Sequence, residues 1–169
     1  THCISSAASD VYKGQDPTEP KNRRRRCSLL VERWENDPAK KTSVLVDTSP
    51  DMREQLIDTG TQWLDGVLFT HDHADQSHGI DDLRMIAINR MRRVDVHMDA
   101  YTSETLMTRF GYCFQTPEGS SYPPILNAHL MKPGKPVTIH GEGGPITALP
   151  FDQDHGCLLY TSYAADDMQ

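Results

Sequence analysis

Three observations predict an α/β fold for this chain. Apolar runs of strand length alternate with stretches whose apolar residues recur at helical spacing, turn residues separate the two, and no repeat or low-complexity tract interrupts the alternation. CSLLVERW (27–34) mixes apolar and polar positions as a strand does. SVLVDTS (43–49) is a second strand leaving into a turn at Pro50, and MREQLIDTG (52–60) is a short helix stopped by Gly60. DGVLFT (65–70) has the length of a buried strand. Ile80, Leu83, Ile86, Ala87 and Met91 then fall at the spacing of an amphipathic helix. VDVHM (94–98) is a further strand. TSETLMTRFG (102–111) opens on a Thr/Ser-then-Glu capping signature and closes on glycine, as a helix does. VTIH (137–140), the turn GEGG and PITALPF (145–151) form a β-hairpin.

The 169 residues suit one domain rather than two. With 24% charged and 37% hydrophobic residues the composition is that of a soluble globular protein. No apolar run approaches the roughly 20 residues of a membrane span and no charged-then-apolar leader opens the chain, so neither membrane nor secretory leader is expected. A formal charge of −7 argues against a general nucleic-acid binder. Cys3, Cys27, Cys113 and Cys157 form no C-x-x-C pair, so a disulfide framework is not expected and a cytoplasmic setting is.

The two ends read differently from the rest. SSAASDVYKGQ (5–15), back-translated and read one frame over on the complementary strand, gives C-L-L-Y-T-S-D-A-A-D-D. That sequence is found at 157–167 as CLLYTSYAADD, with Tyr163 one base from Asp and the Gly14 codon also one base away. Ends encoded by reverse complements of each other have the character of a translated sequencing adapter. Residues 1–15 and 157–169 are therefore expected to be non-native ends, flanking a natural segment over 16–156 that is a fragment.

The chemistry concentrates in FTHDHADQSHGIDDLR (69–84). His71, His73 and Asp75 alternate just past an apolar strand, and in extended backbone alternate residues point to one side. Two imidazoles and a carboxylate converging there suit Zn, Mn or Fe. Asp81 and Asp82 open the following helix, where carboxylates favour the helix dipole. His97, His129 and His140 have no partner at ligand spacing and are expected to be structural or surface residues.

These residues resemble a known family. T-H-D-H-A-D followed by G-I-D-D-L-R is similar to the H-x-H-x-D-H signature of the metallo-β-lactamase superfamily. The resemblance is strongest to its branch of phosphoribosyl cyclic phosphate phosphodiesterases (PhnP-like). It extends over 16–156 through PKNRRRRCSLLVE, VLVDTSPDMREQ, VDVHMDAYTSETLMTRFGYCF and PFDQDHG. The resemblance implies a four-layer αββα sandwich, here truncated at its carboxyl end, with two divalent ions, Zn or Mn, at one edge of the sheets. It implies His71 and His73 as ligands of one metal, His155 as the later histidine completing that trio, and Asp75 as a ligand of the second metal that also orients the attacking hydroxide. Asp47 matches a buried aspartate supporting the metal loop. Position 76 is Gln where the signature has His, leaving Gln76 as a weak or indirect ligand and His78 as a neighbour facing elsewhere. In the run Arg23–Arg26, otherwise read as a solvated loop, the resemblance implies that a guanidinium such as Arg24 or Arg26 meets a substrate phosphate. The bridging aspartate and last histidine of the family lie beyond His155, so the fragment is expected to hold perhaps one ion and to be inactive or impaired. The implied activity is metal-dependent hydrolysis of a small or cyclic phosphodiester. The alternative is a non-hydrolytic member similar to the PqqB protein of cofactor biosynthesis.

Overall fold

The computed structural model of the chain describes residues 16, 18–22, 25–155 and 158–162, with His155 and 158–162 as backbone only. The expected foreign amino-terminal end and Arg24 lie outside the described residues. After a 3₁₀ turn at Pro20–Asn22 come strand β1 (Leu29–Arg33), β2 (Thr42–Val46), helix α1 (Met52–Thr59) and β3 (Gly66–Leu68). Next are the one-turn helix α2 (Ala74–Ser77), a 3₁₀ turn (Ile80–Asp82), α3 (Leu83–Arg90), β4 (Val94–Met98), α4 (Ala100–Arg109) and α5 (Gly111–Phe114). Five strands follow: β5 (Leu126–Leu130), β6 (Val137–Ile139), β7 (Ile146–Ala148), β8 (Phe151–His155) and β9 (Leu158–Ser162).

β1 to β5 form one sheet in sequence order, with β1 antiparallel on β2 and the strands from β2 to β5 parallel. Parallel neighbours need crossovers, and the helical segments supply them. Strand alternation then sorts the side chains. Leu45, Val67, Val94, Val96, Met98 and Leu126 point to one face, where Met52, Leu56, Ile80, Leu83, Ile86 and Leu106 from the helical segments cover them. Val44, Val46 and Leu68 point to the other and pack with Met131, Ile139 and the partly buried Val137, Ile146 and Ala148 of the antiparallel β6–β7 pair. Helices, large sheet and small sheet are three of the four layers expected. β8 and β9 pair with each other as a separate ribbon, so the described part of the 157–169 end contributes a strand to β8 alone.

Several local expectations are corrected. The helix expected at 102 begins at Ala100, and its cap is Asp99, whose carboxylate accepts from the Tyr101 and Thr102 amides. Thr102 is instead inside the helix, its hydroxyl donating back to Asp99 Oδ2 at 2.5 Å. PITALPF is not one strand: β7 ends at Ala148 and β8 starts at Phe151, the break falling around Pro150, which has no amide to give a ladder. β5, missed in the sequence, pairs with β4 over five residues. Cys113 is free and buried. His97 and His129 stack on each other at 4.8 Å between ring centroids, and His129 Nε2 lies 2.9 Å from Asp95 Oδ1. Burial, then the nearby His129, lowers the pKa of His97 below the usual histidine value. Among the described residues no helix is long and apolar enough to cross a membrane.

Candidate metal centre

In an open parallel sheet the loops leaving the carboxyl ends of the strands gather at one edge, and ligand chemistry collects there. Two such loops meet here: 47–51 after β2, and 69–79 after β3. Asp47 is the hinge of the first. It is buried and takes a left-handed backbone (φ 61°), which aspartate tolerates better than most residues. Its amide donates to Leu68 O at 2.8 Å, and its carboxylate receives the Thr70 amide on Oδ1 (2.8 Å) and the Thr70 hydroxyl on Oδ2 (2.7 Å).

That arrangement fixes the chemistry of His71. A carboxylate only accepts, so the Thr70 hydroxyl spends its proton on Asp47. Thr70 Oγ1, 2.8 Å from His71 Nδ1, is then an acceptor, and Nδ1 carries the hydrogen. The imidazole is held as the tautomer whose lone pair sits on Nε2, the form in which a histidine binds a metal while its other nitrogen is anchored behind it. Thr70→Val removes the link while keeping shape. We expect it to weaken Zn²⁺ binding about 10–100-fold, measured by competition with a chromophoric chelator. An unchanged affinity would mean that the relay does not orient His71.

His71 is buried and His73 half-buried, the latter on extended backbone, and their rings meet edge to face with centroids 4.6 Å apart. The structure thus brings these two imidazoles together. Asp75, in α2, is half-buried, and among the described residues no three His, Cys, Asp or Glu side chains gather as a cage for one ion. The backbone of His155 lies at the end of β8, and its side chain falls outside the described residues. Of the expected donors, the described residues thus bring together the two imidazoles, with His71 the one whose ring nitrogen is anchored. Gln76 is buried, and its Oε1 has no hydrogen-bond partner among the described residues. An amide oxygen in that state suits a cation or its water. His78 is exposed, with its ring edge to face against Phe110 at 5.7 Å. Arg26 lies at this edge of the sheet, but its amide and guanidinium both bond Asp51, at 2.8 and 3.3 Å.

Three further attachments hold the loop, none read from the sequence. Thr48 N donates to Gln76 O (2.7 Å) and Gly79 N to Thr48 O (2.8 Å), joining the two loops through backbone. Ser77 Oγ donates to His73 O at 2.8 Å. Asp72, buried between the two histidines, is met by Arg109 from the last turn of α4, with Nη1 2.7 Å from Asp72 O and Nη2 3.0 Å from Oδ2. Thr70 had a local signal, a hydroxyl at the junction of apolar strand and histidine. Arg109 had none, standing 37 residues away.

Comparisons with known proteins agree with this architecture. Residues 42–166 match the family described as Beta-lactamase superfamily domain. The crystal structure of a diphosphatase from the PhnP family superposes with a TM-score of 0.68 at 28% identity, covering 89% of this chain and 54% of that one. A protein of Porphyromonas gingivalis named octanoyltransferase is 32% identical over 149 residues, which are 87% of this chain and 27% of that protein. The chain thus spans about half the length of the solved relative and about a quarter of the curated one.

Proposed function

The chain belongs to the β-lactamase superfamily, with the metallo-β-lactamase fold, and from that premise we propose that it carries the imidazole-bearing half of a metal-dependent phosphodiester or diphosphate hydrolase. The observation that carries this reading is His71, held by Thr70 and Asp47 with Nε2 as its lone-pair nitrogen and with the His73 ring beside it. His71 and His73 would hold one divalent ion, with His155 as third ligand, and Asp75 would face a second ion. Bound there, Zn²⁺ or Mn²⁺ supplies Lewis acidity toward a phosphoryl oxygen and lowers the pKa of a water. The chain's own residues do the placing: Asp47 and Thr70 set the His71 tautomer, Asp75 is available to orient water, and Arg26, released from Asp51, could meet a phosphate.

The solved relative named a diphosphatase supports phosphorus as the site of attack. Cys113 is not poised as a nucleophile: it is buried, and burial, followed by the nearby Asp81, pushes its pKa up to about 11. A second reading rests on Gln76. With a buried amide where the signature has histidine, a single ion held without hydrolysis would make this a non-hydrolytic member, similar to PqqB. One experiment separates the two: metal content and turnover of bis(p-nitrophenyl) phosphate, measured on this chain and on the longer protein that contains it. We expect metal in both and turnover mainly in the longer protein. Metal without turnover in the longer protein favours the second reading, and absence of metal from both rejects both.

A further inference from the structure

Asp72 stands between the two histidines in the chain, and its carboxylate turns to Arg109. It is 3% exposed, and a carboxylate so buried needs a cation. The cation is Arg109, which bonds the main-chain carbonyl of Asp72 at 2.7 Å and its Oδ2 at 3.0 Å. Both bonds go to one residue. The planar fork of the guanidinium therefore fixes the side chain of Asp72 and the peptide plane that joins it to His73. Ser77 Oγ, which donates to His73 O at 2.8 Å, also lies 3.2 Å from the Asp72 carbonyl oxygen. Rotation of that plane would swing His73 away from His71.

Asp72 is buried while the Arg109 side chain is 46% exposed, so solvent screens the pair and its contribution to stability is modest; what it can supply is a defined geometry. Resting on the hydrolase reading above, we propose that Arg109 is a positioning residue of the metal centre, clamping the loop from behind so that His71 and His73 meet one ion. It touches neither ion nor substrate in this role. It acts through Asp72.

The test uses the full chain, Co²⁺ as the probe, and three variants: Arg109→Ala, Arg109→Lys, and Arg109→Ala combined with Asp72→Asn. The last leaves no buried charge behind and should melt close to the parent chain. We expect Arg109→Ala to weaken Co²⁺ binding about 10–100-fold and to change the visible cobalt band that reports ligand geometry. Lysine, able to make one of the two bonds, should recover part of the affinity. The double variant should keep the weakened binding although its fold is sound. Wild-type affinity and spectrum in the double variant would overturn the proposal, because the arginine would then serve only to neutralise Asp72. Hydrogen exchange without metal reads the clamp independently of the hydrolase assignment. The amides of 71–78 should exchange about tenfold faster in Arg109→Ala, while those of β4 are unchanged. If the chain takes up no cobalt, exchange over 71–78 decides the clamp by itself, and unchanged exchange there overturns it.

Discussion

His73→Ala should abolish stoichiometric metal binding while leaving the fold intact. Changes behind a ligand already cost about 10–100-fold in affinity, so removal of a ligand should exceed a hundredfold and take metal-dependent turnover with it. The fold should survive because the side chain of His73 is half-buried and its backbone contacts, to the Gln76 and Ser77 amides and the Ser77 hydroxyl, use the carbonyl alone. His71→Ala makes the informative contrast. It removes a buried ring and leaves Thr70 without its imidazole neighbour, so it should lose metal and also about 1–3 kcal/mol of stability. Metal analysis after desalting and a thermal melt check both. Wild-type metal content in His73→Ala would remove His73 from the ligand set.

The second large effect is expected at Gly79. Its backbone angles (φ −85°, ψ 5°) are open to alanine, so the obstacle is space. A Cβ there would lie 2.2 Å from Ser49 O and 3.1 Å from Thr48 O, both backbone atoms. Neither atom can step aside cheaply, because the same stretch is fixed by Thr48 N to Gln76 O and Gly79 N to Thr48 O. Gly79→Ala should therefore push the two loops apart, break those bonds and cost about 3 kcal/mol, the upper part of the overpacking range. For a chain of this size that is a fall in melting temperature of roughly 6–12 °C. Metal affinity should fall with it, since the histidines ride on the displaced loop. Gly60→Ala is the control: its φ is 66° and nothing lies within 4 Å of a new Cβ, so only backbone strain of about 1 kcal/mol is expected. Equal melting of the two variants would show that Gly79 is not a packing constraint.

The strands around the site were legible because their signal is local. SVLVDTS, DGVLFT and VDVHM became β2, β3 and β4 within a residue or two to three, since each run is apolar enough to demand burial whatever its neighbours are. β5 was not legible: LNAHL buries Leu126 fully, while Asn127 and His129 sit on the opposite face with Asp95 and His97. That mixed pattern becomes a strand through pairing with β4. The cap of α4 was placed at least three residues late because Thr102 and Ser103 followed by Glu104 imitate a cap, while Asp99, the residue whose carboxylate receives the amides, belongs to the turn after β4.

By itself, the sequence determined the α/β class and the pairing of His71 with His73 on one side of extended backbone, because alternation along a strand is a property of the covalent chain. The resemblance pointed to Asp47 behind those histidines, and the tertiary structure decided how it acts and which other groups stand with it. Asp47 reaches Thr70 across 23 positions, and Arg109 reaches Asp72 across 37. Gly79 is admitted against Ser49 because it has no side chain. Such contacts join segments whose separation along the chain bears no relation to their distance in space. They come into existence when parallel strands bring their carboxyl ends to one edge, and no periodicity in the sequence encodes them.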